Sequence, residues 1–151
     1  MIYLDASVAV KWFKKGEEFE NEALVLYKKI RELEINACAS EWIILEVIRG
    51  LTKSGYSKEK INETYDVIEE LFSLGLIKKI YVSPAIALAK NIELELNLYA
   101  ADSIHLATAI ITNSQILFSE DKHLHKKKVK EYAEKFGLEI RGLKEIENGK
   151  I

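Results

Sequence analysis

Short apolar runs alternate with longer amphipathic ones along the whole chain, and the two patterns carry different periods. Ile2-Tyr3-Leu4 is brief, apolar and β-prone, and Val8 to Phe13 resumes with helical spacing after Asp5-Ala6-Ser7: a strand, a turn and a helix start. Gly16 punctuates. Phe19, Ala23, Leu24, Leu26, Tyr27, Ile30 and Leu33 then recur among Glu and Lys as one face of a surface helix. A second strand is predicted over 35–39, with Ser40 as the N-cap of a helix reaching Leu51 and Gly55 closing it. Ser57 caps a further helix to Leu74-Gly75, so these two form an αα-hairpin. A third strand spans 76–82, and Ser83-Pro84 signals the start of a helix ending near Leu96, with Asn97 as its break.

The central stretch runs from residue 99 to 121. It opens on Ala101-Asp102-Ser103, continues as a helix of small and aliphatic residues that must be buried, and passes through the strand-like run Gln115 to Phe118 to Ser119-Glu120-Asp121. Beyond it an amphipathic helix carries Leu124, Val129, Tyr132, Ala133 and Phe136, Gly137 ends that helix, and Leu138 to Ile140 is a fifth short strand. Strands separated by helices predict an α/β fold with a mostly parallel sheet and helices on both faces. Parallel order puts the C-terminal ends of the strands on one edge, where Asp5 and Asp121 then meet.

Composition narrows the class. A chain of 151 residues suits one domain with a continuous core. Cys38 is the single cysteine, which excludes an intramolecular disulfide and a cysteine cluster for zinc, and it reads as a small buried hydrophobe. Apolar runs such as 85–89 and 106–111 fall far short of the ~18 residues of a membrane span. Asp5 interrupts the N-terminus and no basic leader precedes it, so the expected location is the cytoplasm, with no membrane partner. The net charge of −2 does not discriminate for or against nucleic acid. Acid usage says more. Glu outnumbers Asp 20 to 4, and three of the four aspartates, Asp5, Asp102 and Asp121, stand where sites form.

Each of those aspartates also has a plainer reading. Asp5 and Asp121 precede helices as N-caps, and Asp102 in a first turn favours the helix dipole. Capping does not account for Glu46, set inside the apolar run Trp42 to Ile48, where a charge is costly unless paired or bound to metal. Glu46 and Arg49, three apart, are the alternative pair. Four carboxylates from separate segments at one sheet edge would repel, and a hard divalent cation is the common remedy. Oxygen ligands suit magnesium or manganese rather than zinc, since no His or Cys is spaced for zinc. His105, one turn after Asp102, reads as a satisfied core histidine or as a group facing the same cleft. The basic segment from Lys122 to Lys130 reads as a solvated helix face or as a phosphate-contacting flank. Trp12, Phe13, Trp42 and Tyr65 suit either core or a partner groove.

Leu4-Asp5-Ala6-Ser7, Ser40 followed by Glu46, Ala101-Asp102-Ser103-Ile104-His105-Leu106-Ala107-Thr108-Ala109 and Ser119-Glu120-Asp121 together resemble the PIN domain family, in particular the small single-domain toxins of VapBC toxin-antitoxin pairs. The resemblance covers nearly the whole chain. It implies a PIN-like nuclease domain over 1–141 with a C-terminal tail at 142–151, and a five-stranded parallel sheet in order 3-2-1-4-5. It implies a magnesium- or manganese-dependent ribonuclease that hydrolyses RNA phosphodiesters with a metal-activated water. Asp5, Glu46 and Asp102 match the family's core acids, Asp121 matches a fourth, and Ser7 and Ser119 match supporting polar positions. Ser119 stands where threonine is common, and Glu120 competes with Asp121 for the last acidic place. A VapB-like antitoxin and a homodimer are the implied partners.

Two other classes compete. A magnesium-dependent phosphatase or phosphotransfer protein on a similar sheet would want Asp-x-Asp after the first strand, where this chain has Ser7, or an aspartate after the third, where it has Val82-Ser83-Pro84. A non-catalytic PIN-like RNA- or protein-binding module would have no use for all four acids.

Overall fold

The computed structural model describes residues 1–147 and 149–151. Its sheet has five parallel strands, β1 (Ile2–Leu4), β2 (Ala37–Ser40), β3 (Ile77–Ile80), β4 (Ile116–Phe118) and β5 (Glu139–Arg141), in spatial order β3-β2-β1-β4-β5. The central strands are apolar throughout because both faces are covered, as Ile2 to Leu4 and Ala37 to Ser40 are all buried. Alternate residues divide two cores. Ile2, Leu4, Ala37, Ala39 and Phe118 face a layer built from α1 (Ala6–Ala9), α2 (Glu20–Arg31), α3 (Ile43–Lys53) and α4 (Lys58–Ser73). Tyr3, Cys38, Leu117 and Ile140 face α5 (Ile86–Leu96), α6 (Ala100–Ile111) and α7 (Lys127–Glu134) on the other side. Trp12 and Phe13 are core, while Trp42 and Tyr65 stay partly exposed.

Chain order sets where a site can form. From β1 the chain builds outward to β2 and β3, then crosses to the other side of β1 to lay down β4 and β5. The loops after β1 and β4 therefore part to opposite faces and leave a crevice between them, the topological switch point of an open α/β sheet. Asp5 ends one of these strands and Ser119 the other.

Several boundaries differ from the sequence reading, each for a local reason. α1 is only one turn and tightens into a 3₁₀ turn over Val10–Trp12. Ser40 belongs to β2, and its hydroxyl accepts from Trp42 N–H (3.2 Å) in a turn; α3 begins at Ile43 without a side-chain cap. Ser57 does cap α4, accepting from Lys60 N–H (3.1 Å). Pro84 opens a 3₁₀ turn over Ser83–Ala85 before α5 starts, and Asn97 closes α5 in the left-handed conformation (φ 53°). The last helix begins later than the pattern suggests, at Lys127, because residues 122–126 form turns. Residues 142–151, read from the sequence as a tail, carry two core side chains: Leu143 is wholly buried and Ile146 nearly so.

Candidate active site

Asp5 is a cap and a site residue at once. Its Oδ1 accepts from Ala6 N–H (2.9 Å), closing the N-terminus of α1, while Oδ2 accepts from the hydroxyls of Ser7 (2.8 Å) and Ser119 (2.7 Å). Ser119 is fully buried and its Oγ also accepts from Asp121 N–H (3.0 Å); Ser7 Oγ accepts from Glu120 N–H (2.9 Å). The two serines thus stitch the loop after β4 to the loop after β1 across the switch point. Charge-assisted bonds of this kind fix a carboxylate's orientation as well as its position.

The four acids singled out from the sequence line one cleft. Asp5, Ser7, Glu46, Asp102 and Asp121, with Ala6, Val10 and Gly50, surround a space of about 200 Å³ in which neither lysine nor arginine takes part. Gly50 allows α3 to approach, since a Cβ there would come within 3.0 Å of Val10 Cγ2. Glu46 enters from the first turn of α3 and Asp102 from the first turn of α6. Asp121 is oriented by accepting from His123 N–H at Oδ1 (2.8 Å), an Asx turn and not a helix cap. Glu120 turns away. Its Oε2 accepts from Leu143 N–H (3.1 Å), which ties residue 143 to this loop and leaves the cleft to Asp121.

The sequence reading undervalued His105 and missed Tyr3. His105 is 1% exposed, and its Nε2 lies 2.5 Å from Glu46 Oε1 and 3.4 Å from Asp5 Oδ1. Its Nδ1 lies 2.6 Å from the hydroxyl of Tyr3, which accepts from Ser40 N–H (3.2 Å). In the neutral imidazole, Tyr3 donates to Nδ1 and Nε2–H donates to Glu46; protonation reverses only the Tyr3 bond. Either way Glu46 receives a proton donor from His105. The pairing of Glu46 with Arg49 does not form among the described residues. A signal for this network was present, because a tyrosine in the middle of a buried strand needs a partner for its hydroxyl.

Electrostatics record the crowding of negative charge. Burial, then the neighbouring carboxylate of Asp121, raise Asp102 to about 7. At His105, burial favours the neutral ring, but Asp5 and Glu46 outweigh it and raise the imidazole to about 9. Both shifts favour the protonated form in the folded state. His105 contributes stability that is complete below 6.5 and is lost as pH rises through about 9; Asp102 subtracts stability as it ionises between 3.8 and about 7. In EDTA the denaturation midpoint is therefore expected to fall steadily from pH about 5 to about 9. Urea titrations across that range test it, and a midpoint that rises over the range contradicts it.

The donor set fits a divalent cation. Four carboxylates around a small cleft carry more negative charge than the one adjacent imidazole can balance, and oxygen-rich sites suit hard ions. Asp5, Glu46 and His105 bring ligand-type atoms within 4.8 Å of one another, but Nε2 of His105 carries the hydrogen it donates to Glu46, which leaves the carboxylate oxygens to hold the ion.

A carboxylate cleft at the switch point of a five-stranded parallel sheet in order 3-2-1-4-5, closed by serines from both strand ends, defines the class. The PIN domain profile matches residues 2–130, and the chain belongs to the PIN domain family. No curated protein sequence matches the chain significantly. Among solved structures, FitAB bound to a DNA fragment is similar over 98% of this chain and 99% of its own, with 17% identity and a TM-score of 0.68. FitAcB from Neisseria gonorrhoeae is similar over 96% and 99%, with 15% identity and a TM-score of 0.64. A toxin-antitoxin complex from Klebsiella pneumoniae is similar over 81% and 88%, with 22% identity and a TM-score of 0.55. These likenesses confirm the fold. Among the described residues no helix is long and apolar enough to cross a membrane.

Proposed function

We propose that the protein is a magnesium- or manganese-dependent ribonuclease acting in the cytoplasm, with Asp5, Glu46, Asp102 and Asp121 as its catalytic and metal-holding acids. The observation that carries this reading is the convergence of all four in one cleft that no lysine or arginine neutralises. Bound there, a divalent cation supplies electrostatic stabilisation at phosphorus and lowers the pKa of water. The chain's own residues do the rest. Ser7 and Ser119 fix Asp5, and His105 fixes Glu46. Asp102, placed among the other acids by the first turn of α6, is positioned to accept a proton from the attacking water. Attack by water on the phosphodiester breaks the bond to the 3′ oxygen, which takes up a proton, and leaves a 5′-phosphate.

A phosphotransfer reading finds less support, since a serine stands where a second aspartate would be needed after β1. The test of the nuclease reading is a panel of labelled single-stranded and structured RNAs incubated with the folded protein in magnesium, manganese or EDTA. Metal-dependent cleavage with 5′-phosphate ends is expected, and a panel left intact in both metals overturns it.

The reading extends to a toxin restrained by a VapB-like antitoxin, supported by the family and by the Klebsiella neighbour, which is itself a toxin-antitoxin complex. A homodimer is proposed through helical surfaces, where Ile86 and Leu94 of α5 stand exposed. Growth arrest on expression, relieved by a small adjacent gene, and a dimer mass in solution are the expected results.

A further inference from the structure

Glu120 stands between two residues of the site, Ser119 and Asp121, yet its side chain reaches away from the cleft to the end of the chain. Its backbone N–H donates to Ser7 Oγ (2.9 Å) on one side, and its Oε2 accepts from Leu143 N–H (3.1 Å) on the other. The residue is pinned at both ends. Pairing between the ends of β4 and β5 continues beside it, since Ser119 N–H donates to the carbonyl of Arg141 (3.0 Å). His125 closes the loop, donating from Nε2–H to the carbonyl of Ser119 (2.6 Å).

The segment that receives Glu120 is itself firmly held. Gly142 N–H donates to Glu145 Oε2 (2.7 Å) and Glu145 N–H to the carbonyl of Gly142 (3.1 Å), which closes a compact turn. Leu143 and Ile146 anchor that turn in the core layer shared with α1 to α4. Gly142 has a backbone any residue adopts (φ −94°), so its conformation does not ask for glycine. Its surroundings do. A Cβ there would come within 3.0 Å of Glu120 Oε2 and 3.7 Å of His125 Cε1. The missing side chain leaves room for the carboxylate to reach Leu143 N–H.

Asp121 needs such a hold. It shares a small cleft with Asp5, Glu46 and Asp102, and like charges at close quarters drive one another outward. Glu46 and Asp102 are fixed by helices and Asp5 by its cap on α1, whereas Asp121 rides on a loop. Glu120 and Asp121 share a peptide, so a turn of that peptide that swings Asp121 out of the cleft also pulls Glu120 off Leu143. A charge-assisted bond resists that motion.

We propose that the turn over 142–146 is a brace for the metal site: by holding Glu120 from behind it keeps Asp121 in the cleft, which makes Glu120 a positioning residue and not a ligand. The brace rests on the reading of the cleft as a metal site.

Manganese titrated calorimetrically into the metal-free protein tests it, with circular dichroism to verify that each variant folds. Glu120→Ala is expected to weaken manganese binding about tenfold. Glu120→Gln loses the same charge but keeps an oxygen for Leu143 N–H, so it should bind manganese as the unsubstituted protein does. Gly142→Ala, which keeps every charge, should weaken binding in the same direction, and it supplies the test should Glu120→Ala fail to fold. In the Asp121→Asn protein, Glu120→Ala should cost nothing further, as befits a residue that acts through another. Absence of manganese binding by the unsubstituted protein overturns the metal reading and the brace together. Unchanged affinity in Glu120→Ala, or an equal loss in Glu120→Gln, overturns the brace alone; the second result would mean that Glu120 contributes charge and not position.

Discussion

Asp102→Asn is expected to lower metal-dependent RNA cleavage by roughly 10²–10⁴-fold while making the metal-free protein more stable at pH 8. The two effects have one cause. Asp102 is raised to about 7 by burial and by Asp121, so above that pH its negative charge is held against a local field that disfavours it. The amide keeps the shape and removes the charge. Stability at functional sites is commonly sacrificed in this way. Cleavage rates and denaturation midpoints in EDTA, measured on the same preparation, check the pair. A variant that is both less active and less stable at pH 8 contradicts the electrostatic account of this position.

His105→Ala should produce the largest loss of stability among single changes at the site, about 2–4 kcal/mol. The side chain is 1% exposed, so truncation leaves a cavity beneath the cleft. It also strips Tyr3 of the partner at 2.6 Å and Glu46 of the donor at 2.5 Å, and the Tyr3 hydroxyl is itself buried. Ser40 N–H still donates to the Tyr3 oxygen, but half of that buried hydroxyl's bonding is lost, and leaving buried polar groups short of partners costs more than the bond they once made. Loss of the group that orients a metal-holding carboxylate should in addition weaken manganese binding by about 10–100-fold. Urea denaturation measures the first effect and calorimetric titration of manganese the second. Unchanged manganese affinity in a folded variant would mean that His105 supports the core and not Glu46.

Much of this was legible in the chain, and the boundary of what was legible is physical. The parallel sheet followed from short strands that are apolar on both faces, as at Ile2 to Leu4 and Ala37 to Ala39, separated by helical stretches. Asp5 was legible as a residue with two readings, and the structure shows why they never competed: one oxygen caps α1 while the other holds Ser7 and Ser119. Glu46 was conspicuous because a charge in an apolar run demands a partner. Its partner was not legible, since His105 is 59 residues away and a lone histidine in a buried helix gives no clue to which strand or helix it will meet. Whether Glu120 or Asp121 faces the cleft was equally hidden. It turns on Leu143, whose backbone N–H takes up Glu120, and on His123, whose N–H fixes Asp121. Local capping rules also misplaced Ser40, because pairing of Ser40 with Ile80 in the sheet extends β2 through the residue that would otherwise have started a helix.

The measurement that bears most directly on the central claim is the rate of RNA cleavage by the unsubstituted protein and by Asp5→Asn, each in manganese and in EDTA. Asn keeps one oxygen to cap α1, and its NH2 group can donate to the Ser7 and Ser119 hydroxyls in place of the second carboxylate oxygen, so the variant should fold, which its circular dichroism spectrum would verify. The account predicts cleavage by the unsubstituted protein only with metal, and a rate at least about 10²-fold lower in the variant. Equal metal-dependent rates in the two folded proteins would contradict it and place the chemistry elsewhere.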